Sequence, residues 1–127
     1  SGTENLVAVK ILTSTNLNGF LRLSQEDIAK AVSTSRGTVM KVFKKAKDHN
    51  VLLAVGKRWY LNPYVALPYN LGDVDCNKLQ QMWDNMQHIV HTKGMISMKD
   101  ALLIHEVLFG PDKVGIVYDD ETGELHE

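Results

Sequence analysis

A mainly helical fold with a minor β component is predicted for this chain by three observations. Apolar residues recur at three- and four-residue spacing over several stretches, the period of a helix with one buried side. Ser24, Ser35 and Ser97 stand just before three of those stretches, where a short polar side chain can cap a helix. Two apolar runs are separated by Gly56-Lys57, which reads as a β-hairpin. At 127 residues the chain is about one domain long and can bury a core without staples.

Residues 4–15 carry Leu6, Val7, Val9, Ile11 and Leu12 with no Gly or Pro, and predict the first helix. Asn16-Leu17-Asn18-Gly19 is a turn signal, and residues 20–23 follow as a short strand. Ser24 caps a helix over about 25–31. Glu26 and Asp27 complement the dipole of its first turn, and Ile28, Ala29 and Val32 form its apolar side. Ser33-Thr34 breaks the helix, and Ser35 caps the next one, which runs to about residue 49. Val39, Val42, Phe43 and Ala46 form its buried stripe; Arg36, Thr38, Lys41, Lys44, Lys45 and Lys47 lie on the other side. Asn50 stops it.

Residues 51–55 and 58–61 predict a hairpin with a basic tip, ended by Asn62-Pro63. A longer helix over about 75–91 has the cleanest amphipathic pattern in the chain: Leu79, Met82, Trp83, Met86, Ile89 and Val90. Ser97 caps a last helix reaching Phe109, closed by Gly110-Pro111. Residues 114–127 read either as a small hairpin or as an acidic tail.

The net charge of −1 hides an asymmetry. Residues 1–72 hold ten Lys/Arg against four Asp/Glu, whereas residues 73–127 hold four against eleven. Such a split points to a polyanion-binding half and an acidic remainder. It suits two parts, residues 1–70 and residues 71–127. No apolar run approaches the roughly 18 residues that would read as a membrane span. A lone cysteine, Cys76, suits a reducing cytoplasm.

Several chemical signals fall away. His88, His91 and His105 share no ligand spacing with Cys76, so no metal site is expected. Asp119, Asp120, Glu121 and Glu124 lack the loop pattern of a calcium-binding EF-hand. There is no Gly-rich phosphate loop and no readable Ser/His/Asp arrangement. The expectation is a non-enzyme with no cofactor.

Helix, short strand, two helices, strand, wing and strand is the plan of a winged helix-turn-helix, here with additional C-terminal helices. Two helices joined by a tight turn set the second into the DNA major groove. The first then needs a small residue where the second crosses it, and Ala29 stands there. The turn needs a residue that tolerates a left-handed backbone; Gly is usual and Ser33 stands here. Val39 and Val42 anchor the second helix. The groove-facing residues expected are Ser35, Arg36, Gly37, Met40, Lys41 and Lys44, with Arg36 suited to guanine O6 and N7. Ser35 and Thr38 suit phosphate near the helix N-terminus, as does Lys45 further along. Lys57 and Arg58 would reach a flanking groove or phosphate from the wing tip.

The apolar stripe Leu79, Met82, Trp83, Met86, Ile89 and Val90 has two readings: core, or the interface of a homodimer on paired half-sites. The dimer is the favoured expectation. A reading from another class is a protein-interaction module, with the winged helix as scaffold and the acidic half docking a partner.

The segment "IAKAVSTSRGTV", followed by an apolar strand and "RWYLNPYVALP", resembles winged-helix domains of plasmid replication proteins of the RepL type from Gram-positive bacteria, and related phage or plasmid regulators. The resemblance covers about residues 20–68. It implies double-stranded DNA as the ligand, in transcription regulation or in replication, with that machinery as a possible partner.

Overall fold

The computed structural model describes residues 2–68, 71–110, 117–118 and 125–126. The described residues contain five helices: α1 (Gly2–Leu12), α2 (Gln25–Ala31), α3 (Arg36–Asp48), α4 (Asp73–Lys93) and α5 (Met98–Phe109). The hairpin is β1 (Leu52–Val55) with β2 (Arg58–Leu61), and β3 (Val117–Tyr118) pairs with β4 (Leu125–His126). The chain divides into two compact units: residues 1–53 with 59–70, and residues 54–58 with 71–127. A boundary near residue 70 follows from composition. What composition does not carry is the assignment of the hairpin tip, residues 54–58, to the second unit.

In the first unit, α1 to α3 pack around one core. Val7 and Ile11 from α1, Ile28 and Ala29 from α2, and Val39, Val42 and Phe43 from α3 are buried together with Leu21, Leu52 and Leu61. Burying large apolar side chains contributes roughly 1.5–3 kcal/mol each, and this cluster holds the unit together. The mixed apolar spacing of α1 has a plain cause. Val7 and Ile11 face inward at i, i+4, while Leu6 and Val9 remain in solvent. The helix ends at Leu12, before residue 15, because the chain turns to pair Thr15 with Leu21. The Asn16 side chain organises that turn, its Oδ1 accepting from the Asn18 and Phe20 N–H groups at 2.9 and 3.2 Å.

Ser24 and Asp27 cap α2 reciprocally: the Ser24 hydroxyl accepts from the Asp27 N–H, and the Asp27 carboxylate accepts from the Ser24 N–H. The turn from α2 into α3 closes the helix with two crossed bonds. Ser33 N–H donates to Lys30 O at 3.3 Å and Thr34 N–H donates to Ala29 O at 2.9 Å. That closure requires a left-handed residue, and Ser33 adopts φ 54°. The end of α3 repeats the device, with Asn50 at φ 59° and the Asn50 and Val51 N–H groups donating to Lys47 and Ala46 carbonyls.

The hairpin turns at Gly56, whose φ of 59° suits a two-residue turn between twisted strands. The strand expected over residues 20–23 is reduced to two isolated bridges, Phe20 with Tyr60 and Leu21 with Thr15, so the sheet itself is two-stranded. Leu21 N–H donates to Trp59 O at 2.9 Å and Leu61 N–H donates to Gly19 O at 3.0 Å. Arg22 N–H donates to Ser14 O at 2.9 Å, and Arg22 and Leu23 bend toward the Ser24 cap. Alternation along β2 sends Trp59 and Leu61 to one face and Arg58 and Tyr60 to the other. Trp59 meets Phe43 edge-on at 5.0 Å, and Tyr60 meets Phe20 at 5.6 Å.

In the second unit, the stripe Leu79, Met82, Trp83 and Met86 is buried within the single chain, and Ile89 and Val90 are half-buried. For these four residues the core reading of the stripe is the one observed. The first four residues of the stripe are occupied as core, in a unit that also buries Val55, Ile96, Met98 and Ala101. Ser97 and Asp100 cap α5 as Ser24 and Asp27 cap α2. The Ser97 hydroxyl, and then its backbone N–H, hold the Asp100 carboxyl below the ordinary aspartate range. Lys78 Nζ lies 5.7 Å from the Phe109 ring centre. Of the two readings of the C-terminal segment, the hairpin is the one observed: Val117 pairs with His126 and Tyr118 with Leu125. Asp119, Asp120, Glu121 and Glu124 lie outside the described residues.

Candidate nucleic-acid interface

The outer side of α3 is built by what its inner side does. Val39, Val42 and Phe43 are drawn into the core, which fixes the helix rotation. Gly37, Met40, Lys41 and Lys44, at i, i+3, i+4 and i+7, are thereby turned to solvent, with Arg36 at the start of the same side. All five are exposed. Among the described residues, Arg36, Lys41 and Lys44 form no ion pair, so their charges are available to an external anion. Glu26 of α2 is engaged with Lys30 at 3.6 Å, on exposed side chains.

The hydroxyls at the start of α3 have a structural task. Ser35 Oγ accepts from the Thr38 N–H at 3.2 Å and lies 3.0 Å from Thr38 Oγ1. Both residues therefore shape the helix N-terminus. Gly37 has open space around it: an added Cβ would meet only Ser35 Oγ, at 3.8 Å. Nothing among the described residues explains the missing side chain.

Two expected contacts are placed differently. Lys45 is not on the same footing as its neighbours, because its Nζ donates to the Glu4 carboxylate of α1 at 3.2 Å. Arg58 is not at an exposed tip. It is buried at 8% exposure, on the face of β2 opposite Trp59 and Leu61, and only Lys57 of the basic pair is exposed. The tip itself lies against α5, since a Cβ at Gly56 would come within 3.5 Å of Met98 Cε. The sequence pattern finds two adjacent cations at the turn, but it does not say which of them points out.

Asn62, expected only to end the hairpin, has a further task. Asn62 Nδ2 donates to Asn50 O at 2.9 Å, Asn62 Oδ1 accepts from the Tyr64 N–H at 2.9 Å, and the Asn62 N–H donates to Val51 O at 2.9 Å. It ties the end of α3 to the chain leaving the hairpin. The available signal was Asn directly before Pro after an apolar strand.

Among the described residues, no group of three or more His, Cys, Asp or Glu is placed to hold a metal ion, and no helix is long and apolar enough to cross a membrane. Compared with known proteins, the chain matches no family model, no curated sequence and no solved structure.

Proposed function

We propose that residues 1–70 form a winged helix-turn-helix that binds double-stranded DNA, with α3 in the major groove. One observation carries the reading: α3 buries its apolar stripe and turns Arg36, Lys41 and Lys44 outward together, without ionic partners among the described residues. A cationic helix face of this kind suits phosphates and base edges. Three further features support it. Ala29 and Val39 are buried and Ser33 is left-handed, as the helix-turn-helix geometry requires. The Phe20–Tyr60 bridge sets the chain before α2 beside β2, the arrangement of a winged helix. Lys57 is exposed at the hairpin tip.

Arg36 is assigned to base reading, because an arginine can bond guanine at two positions. Lys41, Lys44 and Lys57 are assigned to phosphate. Binding is the activity; no reaction is assigned to the site. The biological use, control of transcription or recognition of a replication origin, follows from the layout of the bound site.

In vitro selection from random duplex DNA tests this, with Arg36→Ala run in parallel. The parent should enrich a site, and the variant should lose about 1–3 kcal/mol of preference at one base pair. Affinity should fall with salt by a log–log slope near −0.9 for each phosphate contacted. An inverted repeat would mark a pair of copies and a regulator; tandem direct repeats would mark an origin binder. No enriched site together with salt-insensitive binding would sink the proposal and favour the protein-interaction reading.

A further inference from the structure

We infer that Met40 reads the C5 methyl group of a thymine, with Gly37 opening the space that lets the base edge approach; this rests on the proposed DNA binding by α3. Met40 is the one large apolar side chain among the described residues on the outward side of α3, and it is 51% exposed. Its neighbours at i−4, i+1 and i+4 are Arg36, Lys41 and Lys44. A methionine held among cations contributes nothing to the core, whose α3 residues are Val39, Val42 and Phe43. Its thioether is flexible and polarisable, suited to following an apolar surface brought to it. In the major groove the apolar feature of a base edge is the thymine methyl group.

Gly37 lies one turn before Met40, on the same side of the helix. The space beside it is open, and its helical backbone gives no conformational reason for a glycine. An alanine there would favour the helix, so the missing Cβ has its use in a partner's approach. Gly37 thus leaves open space one turn from Met40 on the basic face. Arg36 reads one base through hydrogen bonds, and Met40 reads another by contact.

The test replaces thymine by uracil, one position at a time, in the duplex that selection enriches. Uracil keeps every hydrogen-bonding group and removes only the methyl, and the protein is untouched, so no folding defect can intrude. At one position the parent should bind the uracil duplex about fourfold more weakly, the worth of one buried methyl group. Met40→Ala should bind thymine and uracil duplexes alike, and Gly37→Ala should bind the thymine duplex more weakly than the parent. A parent that binds its selected duplex in a salt-sensitive way, yet is indifferent to uracil at every position, would overturn the methyl assignment and leave the DNA-binding proposal standing. A parent that binds no duplex in a salt-sensitive way would remove both.

Discussion

α3 and α4 are both amphipathic, and both bury their apolar stripe: Val39, Val42 and Phe43 in one, Leu79, Met82, Trp83 and Met86 in the other. They differ in what the burial leaves outside. α3 is left with Arg36, Met40, Lys41 and Lys44 in solvent, whereas α4 is left with Gln81, Asp84, Asn85 and His88. A clean apolar stripe therefore says where a core is. It does not by itself mark an interface, and the functional content of a helix lies in the face the core does not use. The stripe of α4 is taken up by the fold, and α3 carries the candidate site on the face its own core leaves free.

The largest effect that sharpens this comparison is expected at Trp83. Trp83→Ala should cost about 3–5 kcal/mol, read by denaturant unfolding, because a large buried side chain is lost and a cavity remains. The loss should be the same at high and low protein concentration. A loss that vanished on dilution would restore Trp83 to an interface between copies.

A smaller effect is expected where α2 meets α3. Ser33 is exposed and left-handed, so Ser33→Gly should relieve backbone strain and raise stability by about 1 kcal/mol. DNA affinity should stay unchanged, since the Ser33 side chain is not on the α3 face. A drop in thermal midpoint would show that the turn does not keep this geometry in solution.

The smallest effect concerns the start of α5. The Asp100 carboxyl, held low by Ser97, contributes stability that is present above the ordinary aspartate range and lost as pH falls through its lowered value. Asp100→Asn should flatten that part of the acid unfolding profile and leave the neutral-pH affinity for DNA alone. An unchanged acid profile would mean that the α5 cap does not hold the ionised carboxyl.

Much of the fold was legible because its signals are local. The bounds of α2, and the caps at Ser24, Ser35 and Ser97, follow from a short polar side chain set before an apolar period, which needs no knowledge of the rest of the chain. The left-handed turn at Ser33 was readable from its place between two helical patterns, although its residue type is unusual there. The outward cations of α3 were readable for the same reason, since the helical period that buries Val39 also exposes Lys41 and Lys44.

What resisted sequence reading is long-range. The partner of Lys45 is Glu4, 41 residues away, and no spacing rule reaches that far. The residues 20–23 have the composition of a strand, but a strand extends only as far as its neighbour lies alongside, and here that is one isolated bridge on each side, to Tyr60 and to Thr15.

The sequence by itself determined where helices start and stop, which side of each is apolar, and that the basic charge gathers in the first 72 residues, because capping, period and charge are properties of neighbouring residues. Only the tertiary structure decided that Arg58 turns inward while Lys57 stays out, and that Leu79, Met82, Trp83 and Met86 are core. Burial belongs to whatever packs against a face, and those packing surfaces come from residues remote in the chain.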